Sequence, residues 1–210
     1  YEYWFVTVAL HKLGATMIPA THMLTVKDLE YRIRATHVDA VICTPQNEVP
    51  EKIQSALANL GVSARLWCVQ SDREGFRNLT EEMKAASDKL ERRPTLVTDP
   101  MLLYFTSGTT GEPKGVIHDF SYPLAHIVTA KYWQQAEEDG LHFTVAETGW
   151  AKASWGKIYG QWLIGCAVMV YDFDNFVPKQ LTNIINRYGV TSFCAPPTAV
   201  SYTHLTLPTI

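Results

Sequence analysis

The chain has 210 residues, room for one large domain or two small ones at roughly 100–200 residues each. Eighteen Lys and Arg against twenty-one Asp and Glu leave a formal charge of −3, which argues against a nucleic-acid binder with its basic face. Apolar residues at 47% and charged residues at 19% are enough to bury a core, which excludes a disordered chain.

In chain order, Tyr3 to Leu13 reads as an apolar helix stopped by Gly14. Thr25-Val-Lys-Asp28 has the form of a capping box, with Leu29 and Ile33 and the Arg32 stem on the core side of the helix that follows. Val38 to Thr44, bounded by Pro45, reads as a strand. Ile53, Leu57 and Leu60 recur at helical spacing up to Gly61. Leu66 to Gln70 is a second strand, and Ser71 to Asn78 a surface connection. Thr80 is placed to cap a helix whose first turn holds Glu81 and Glu82. Met101 to Thr106 is a strongly apolar strand, followed by a helix over 121–135. Two further strands, Ala167 to Tyr171 and Thr191 to Ala195, flank a helix over 178–188. Strands alternating with helices predict an α/β fold, a mainly parallel sheet layered with helices.

Cys43, Cys68, Cys166 and Cys194 contain no CxxC pair, so disulfide-scaffold and zinc-site spacings are both absent. Each reads as a small buried hydrophobe of a reduced, cytoplasmic protein. The longest apolar stretch, residues 162–171, is far short of the ~20 residues of a spanning helix. At the ends, Tyr3-Trp-Phe-Val6 reads as the middle of a buried helix, and residues 201–210 hold no Asp, Glu, Lys or Arg. The expectation is a fragment: a partial domain over 1–200 and an artefactual tail over 201–210.

The chemistry concentrates in Thr106-Ser-Gly-Thr-Thr-Gly-Glu-Pro-Lys-Gly115. Four hydroxyls, three glycines and one lysine in ten residues are the ingredients of a phosphate cradle. Glycine lets backbone N–H groups approach oxygen anions, hydroxyls add donors without bulk, and lysine supplies a point charge. The same composition also describes a plain surface turn. The nucleoside-triphosphate pattern GxxxxGK[ST] does not fit, and neither does GxGxxG.

Phe105 to Gly115 resembles the signature [Tyr/Phe]-Thr-Ser-Gly-[Ser/Thr]-Thr-Gly-x-Pro-Lys-Gly of the adenylate-forming superfamily and matches each of its fixed positions. Pro19-Ala-Thr-His22, Ala146-Glu-Thr-Gly-Trp150 and Cys194-Ala-Pro-Pro-Thr198 are similar to segments of its short- and medium-chain acyl-CoA synthetases, with Glu147 where Asp is usual. The resemblance implies a partial large N-terminal (AMP-binding) domain of an ATP-dependent acid–thiol ligase of fatty acid metabolism. It implies that Thr106, Ser107, Gly108, Thr109, Thr110 and Gly111 hold the ATP phosphates. Lys114 stands at the far end of that segment, as its catalytic lysine, and Trp150 lines the acyl pocket. It further implies Mg²⁺ on the phosphates, coenzyme A as acceptor and a small carboxylate as substrate. The carboxylate attacks the α-phosphate, so no enzyme nucleophile is needed, and none of GxSxG form occurs. The family's downstream Tyr-Gly-x-Thr-Glu stretch is missing, so these 210 residues are expected to be inactive alone. The alternatives are an adenylation domain serving a carrier-protein thiol and a non-catalytic ATP-binding module.

Other residues have competing readings. Trp150 is either a pocket wall or a core tryptophan. Lys152 is either a ligand of carboxylate or phosphate or a solvated charge. Trp155 and Trp162, seven apart, read as one buried helical stripe. His118, His126 and His22 read as hydrogen-bonding structural residues.

Overall fold

A computed structural model describes residues 1–106, 111–173 and 175–204, with side chains described to residue 201. They form two compact units. The smaller comprises Glu2 and Ala20–Arg92, and the larger comprises Tyr1, Tyr3–Pro19 and Arg93 onward.

Helix α1 (Glu2–Leu13) ends as its sequence demands. Gly14 takes a left-handed φ of 67° and its N–H donates to the carbonyls of His11 and Leu10. In the smaller unit, helix α2 (Val26–Thr36) opens on a complete capping box. The Asp28 N–H donates to Thr25 Oγ1 at 3.2 Å, and the Thr25 N–H donates to Asp28 Oδ2 at 2.9 Å. Such a cap contributes about 1 kcal/mol. Strand β1 (Ala40–Cys43), helix α3 (Val49–Leu60), strand β2 (Arg65–Cys68), strand β3 (Arg77–Asn78) and helix α4 (Leu79–Ala85) follow. The three strands form a parallel sheet in the order β1-β2-β3. Ile33, Cys43, Ile53, Ala56, Leu57 and Cys68 make its core, with Leu29 packed against them.

Two expectations change in this unit. The connection over 71–78 closes as strand β3, and the helix after it is capped two residues earlier than Thr80. Asn78 accepts from the Glu81 N–H at 3.2 Å, while Thr80 Oγ1 instead accepts from the Gln70 N–H at 2.9 Å. Asn is as good an N-cap as Thr, so the local signal alone does not choose between them. All four cysteines are reduced and buried, as expected. Cys43 and Cys68 pair in register across β1 and β2, and burial pushes the Cys43 thiol up to about 12, which leaves it unreactive.

The larger unit carries strand β4 (Pro100–Thr106), strand β5 (Lys114–Asp119), helix α5 (Tyr122–Val128), a π-helical turn (Thr129–Trp133) and strand β6 (Leu141–Thr144). Helix α6 (Ala151–Lys157), helix α7 (Tyr159–Leu163), strand β7 (Ala167–Val168), helix α8 (Pro178–Tyr188), strand β8 (Ser192–Cys194) and helix α9 (Pro197–His204) complete it. Met17, Met101, Leu102, Tyr104, Ile158 and Tyr159 form its core. A parallel sheet has the order β7-β6-β8, while β4 and β5 pair antiparallel.

The fold is α/β with parallel sheets, as expected, but the segment rich in glycine and hydroxyls joins two antiparallel strands rather than a strand and a helix. Strand β5, which is not among the expected elements, carries Val116-Ile117, a β-branched pair just after the lysine. Strand β6 was hidden by its polar residues. His142 is fully buried there, its Nδ1 2.6 Å from Ser192 Oγ and its Nε2 2.7 Å from Thr144 Oγ1. Burial lowers its pKa, so the neutral ring donates from one nitrogen and accepts at the other. The expected strand over 167–171 shortens to β7.

The helix over 121–135 is α-helical only to Val128. The Gln134 N–H then donates to Thr129 O at 3.0 Å and the Ala136 N–H to Ala130 O at 2.9 Å, a widened ladder that rotates Trp133 and Gln134 relative to α5. The stripe of Trp155 and Trp162 is also corrected. Helices α6 and α7 break at Ile158 (φ −135°, ψ −75°), so seven residues no longer bring the two rings to one face, and Trp162 is exposed.

Candidate active site

Strands β4 and β5 form a hairpin whose register places Thr106 opposite Lys114. Thr106 Oγ1 lies 3.4 Å from Lys114 O and donates to it. Both residues are exposed, so a hydroxyl and an ammonium-bearing side chain stand together where residues 107–113 connect the strands. Gly111 holds φ at 119°, a value that L side chains rarely adopt, and its Cβ position is open. Ser107, Gly108, Thr109 and Thr110 lie outside the described residues. The hairpin is anchored from below. Met101 and Leu102 are buried at 1% and 0% exposure, and the Leu103 N–H donates to Met17 O at 2.9 Å.

Ala146-Glu-Thr-Gly-Trp150 follows strand β6 and leads into α6. Trp150 is the residue before the helix and stands exposed, and Lys152 is half-buried on its first turn. Beneath this segment lies a group that sequence reasoning missed. Lys157 is buried, its Nζ donating to Ala146 O at 2.6 Å and lying 5.5 Å from the Trp4 ring centroid. Burial pulls its pKa down to about 8, against the pull of the neighbouring Glu147 carboxylate. No local signal marks Lys157, because lysine is ordinarily an exposed, solvated residue.

An aromatic row runs from strand β5 into the helices. The ring centroids of His118 and Tyr122 are 4.2 Å apart, those of Tyr122 and His126 4.4 Å, those of His126 and Trp155 6.3 Å, and those of Trp155 and Trp133 5.7 Å. His118 thus engages a ring. His126 both stacks and lies within hydrogen-bond reach of Thr129, its Nδ1 3.3 Å from Oγ1. Burial lowers the pKa of both histidines, which favours neutral rings. The row ends at an open cavity of about 290 Å³ lined by His126, Thr129, Trp133 and Trp155. Sequence reading did not single out Trp133, because the π turn that redirects it has no signature in the residue pattern. His22 is exposed.

Among the described residues no three His, Cys, Asp or Glu side chains converge to hold a metal ion.

The fold is that of the N-terminal domain of acyl-CoA synthetases. An acyl-CoA synthetase from Brucella canis superposes on 99% of this chain with a TM-score of 0.86 at 24% identity, over 37% of its own length. The ATP-bound MatB from Rhodopseudomonas palustris superposes on 99% with a TM-score of 0.80 at 18% identity, over 39% of its length.

The chain belongs to the AMP-binding enzyme family, whose pattern matches residues 1–207. Human mitochondrial acyl-coenzyme A synthetase ACSM3 is 32% identical over 200 residues, 94% of this chain and 34% of the relative. Human mitochondrial ACSM5 is 32% identical over 198 residues, with the same coverage. The chain thus spans about a third of the length of the curated relatives it matches.

Proposed function

We propose that this chain is the ATP-phosphate-binding and acyl-binding part of an ATP-dependent acid–thiol ligase. Such an enzyme joins a small carboxylic acid to coenzyme A. The observation that carries the reading is the hairpin that sets Thr106 opposite Lys114 in a member of the AMP-binding family. In the proposed first step a carboxylate oxygen attacks the α-phosphorus of ATP. The bond to the β-phosphate bridging oxygen breaks, and pyrophosphate leaves. Residues 106–111 hold the departing phosphates with hydroxyl and backbone donors, and the Lys114 ammonium offsets their charge. The second step, attack of the coenzyme A thiol on the acyl-adenylate with release of AMP, draws on parts of the enzyme beyond this chain.

The acyl group is assigned to Trp150, which stands exposed at the start of α6; the same helix carries Trp155, which with His126, Thr129 and Trp133 lines an open apolar cavity. Tryptophan faces suit an alkyl chain, and the four residues lining that cavity carry no formal charge, since burial lowers the pKa of His126, the one histidine among them. By itself the chain is proposed to bind without turnover. Purified and supplied with Mg·ATP and octanoate, it should release no pyrophosphate above the buffer rate, and multiple turnover would refute this.

Lys114→Ala tests the phosphate assignment. A charge-assisted contact of about 1.5–3 kcal/mol corresponds to roughly a tenfold to hundredfold rise in KM for ATP. Measured in a complete ligase carrying this chain, KM for the carboxylate should stay near wild type. An unchanged ATP dependence would remove the assignment.

A further inference from the structure

We propose that Lys157 is a positioning residue for the acyl substrate: by holding the carbonyl of Ala146 it fixes the connection that presents Trp150. The proposal rests on the assignment of the acyl group to Trp150.

Trp150 is 63% exposed, and it stands at the end of the connection between strand β6 and helix α6. Packing does little to place a side chain so exposed, so its place is set by its backbone. That backbone is pinned at several points. The Val145 N–H donates to Cys194 O at 2.8 Å, at the end of strand β8, and the Trp150 N–H donates to Glu147 O at 3.1 Å. The Trp150 carbonyl accepts from the Ala153 N–H at 2.9 Å, in the first turn of α6. The Ala146 carbonyl lies between these points, and Lys157 Nζ donates to it at 2.6 Å. Lys157 is the last residue of α6, so one helix carries Trp150 before its first turn and grips the same connection from its last.

The grip starts from a firm support. The Gly156 carbonyl, one residue before the lysine, accepts from Thr144 Oγ1 at 2.6 Å and from Gln134 Nε2 at 3.1 Å. These bonds tie the end of α6 to strand β6 and to the residue that closes the π turn. Packing alone does not call for a lysine here. Lys157 is 8% exposed, with the Trp4 ring centroid 5.5 Å from Nζ and the Glu147 carboxylate acting on it. Methionine or leucine would fill such a place without burying an ammonium, which is costly. What they lack is a donor that reaches the Ala146 carbonyl, and an ionised donor makes the stronger kind of hydrogen bond. Supporting bonds of this sort hold a binding group in its productive place.

The test uses a complete ligase carrying this chain. Lys157→Met keeps most of the side chain and removes the donor. KM for octanoate is expected to rise roughly tenfold, the weight of about one methylene of apolar contact. The kcat and KM for ATP should stay within about twofold, since only binding of the acid is weakened. A residue that merely stabilised the fold would lower the amount of active enzyme and leave both KM values alone, and that result would overturn the proposal. Lys157→Gln, whose amide nitrogen stops one atom short of the ammonium, should raise KM for octanoate in the same direction, and it serves if the methionine variant fails to fold. Trp150→Ala separates the two claims. If it leaves KM for octanoate unchanged, the acyl assignment of Trp150 falls, and the lysine proposal with it. If it raises that KM while folded Lys157 variants do not, the assignment stands and the lysine proposal alone is overturned. Added to Trp150→Ala, Lys157→Met should change KM for octanoate by less than about twofold, because the lysine acts through the tryptophan; a further rise of roughly tenfold would overturn that coupling.

Discussion

Replacing Gly160 with alanine is expected to destabilise the larger unit by at least about 3 kcal/mol, the upper end of overpacking costs. Gly160 begins the contact of α7 with α5. A Cβ built there would lie 2.1 Å from His126 O, 2.7 Å from His126 C and 2.8 Å from Ala130 Cβ. Two of those three atoms belong to backbone, which cannot rotate out of the way. Glycine to alanine within a helix ordinarily gains up to about 1 kcal/mol, so the close approach of the two helices reverses the usual sign. Urea unfolding followed by tryptophan fluorescence measures it. Ala130→Gly should not restore stability, because the carbonyl contact is untouched. A Gly160→Ala protein within about 0.5 kcal/mol of wild type would show that the helices do not approach so closely.

Lys157 should make stability rise with pH across the alkaline range. In the folded chain its pKa is about 8, against 10.5 for an ordinary lysine. Between those values the unfolded chain holds a proton that the folded chain has released, so raising the pH disfavours unfolding. Below pH 8 both states are charged and the full cost of burying the ammonium is present. The shift corresponds to about 3 kcal/mol recovered between pH 7 and pH 10.5. Glu147, the charged group facing Lys157, works against the shift without cancelling it. Above about pH 10 the half-buried Tyr3 and the buried Tyr104 and Tyr159 act oppositely. Their pKa values are raised by burial, so the unfolded chain loses protons first and stability falls. The comparison that isolates the lysine is wild type against Lys157→Met. The difference in unfolding free energy should climb with pH for the wild type, and a flat difference from pH 7 to 10.5 would mean that the ammonium is solvated. The variant itself loses the bond to Ala146 O, which also frees the segment leading to Trp150.

Both effects arise from parts of the molecule whose residues carry no local mark. Gly160 looks like any helix-breaking glycine, and Lys157 like any surface lysine, until packing brings α5 against one and Trp4 over the other. The same holds for the aromatic cavity. In an unbroken helix the seven-residue spacing would pair Trp155 with Trp162. The break at Ile158 and the π turn at Thr129–Trp133 pair it with Trp133 instead. Trp150, the tryptophan that resemblance pointed to, is placed at the start of the same helix, exposed.

The sequence by itself determined what depends on near neighbours. Gly14, Gly61 and Gly189 end their helices with positive φ, because only a residue without a Cβ adopts that conformation cheaply. Thr25 and Asp28 cap each other across three residues, and the string from Phe105 to Gly115 marks the family. Tertiary structure alone decided that this string joins two antiparallel strands and that two helices are interrupted. It also decided which polar side chains serve the interrupted backbone. Those outcomes depend on hydrogen bonds and contacts between residues a dozen or more positions apart, such as Thr144 with Gly156 and Gln134 with Gln161. Buried backbone groups must find partners, and where helical ladders stop, the nearest side chain in space supplies them, whatever its place in the chain.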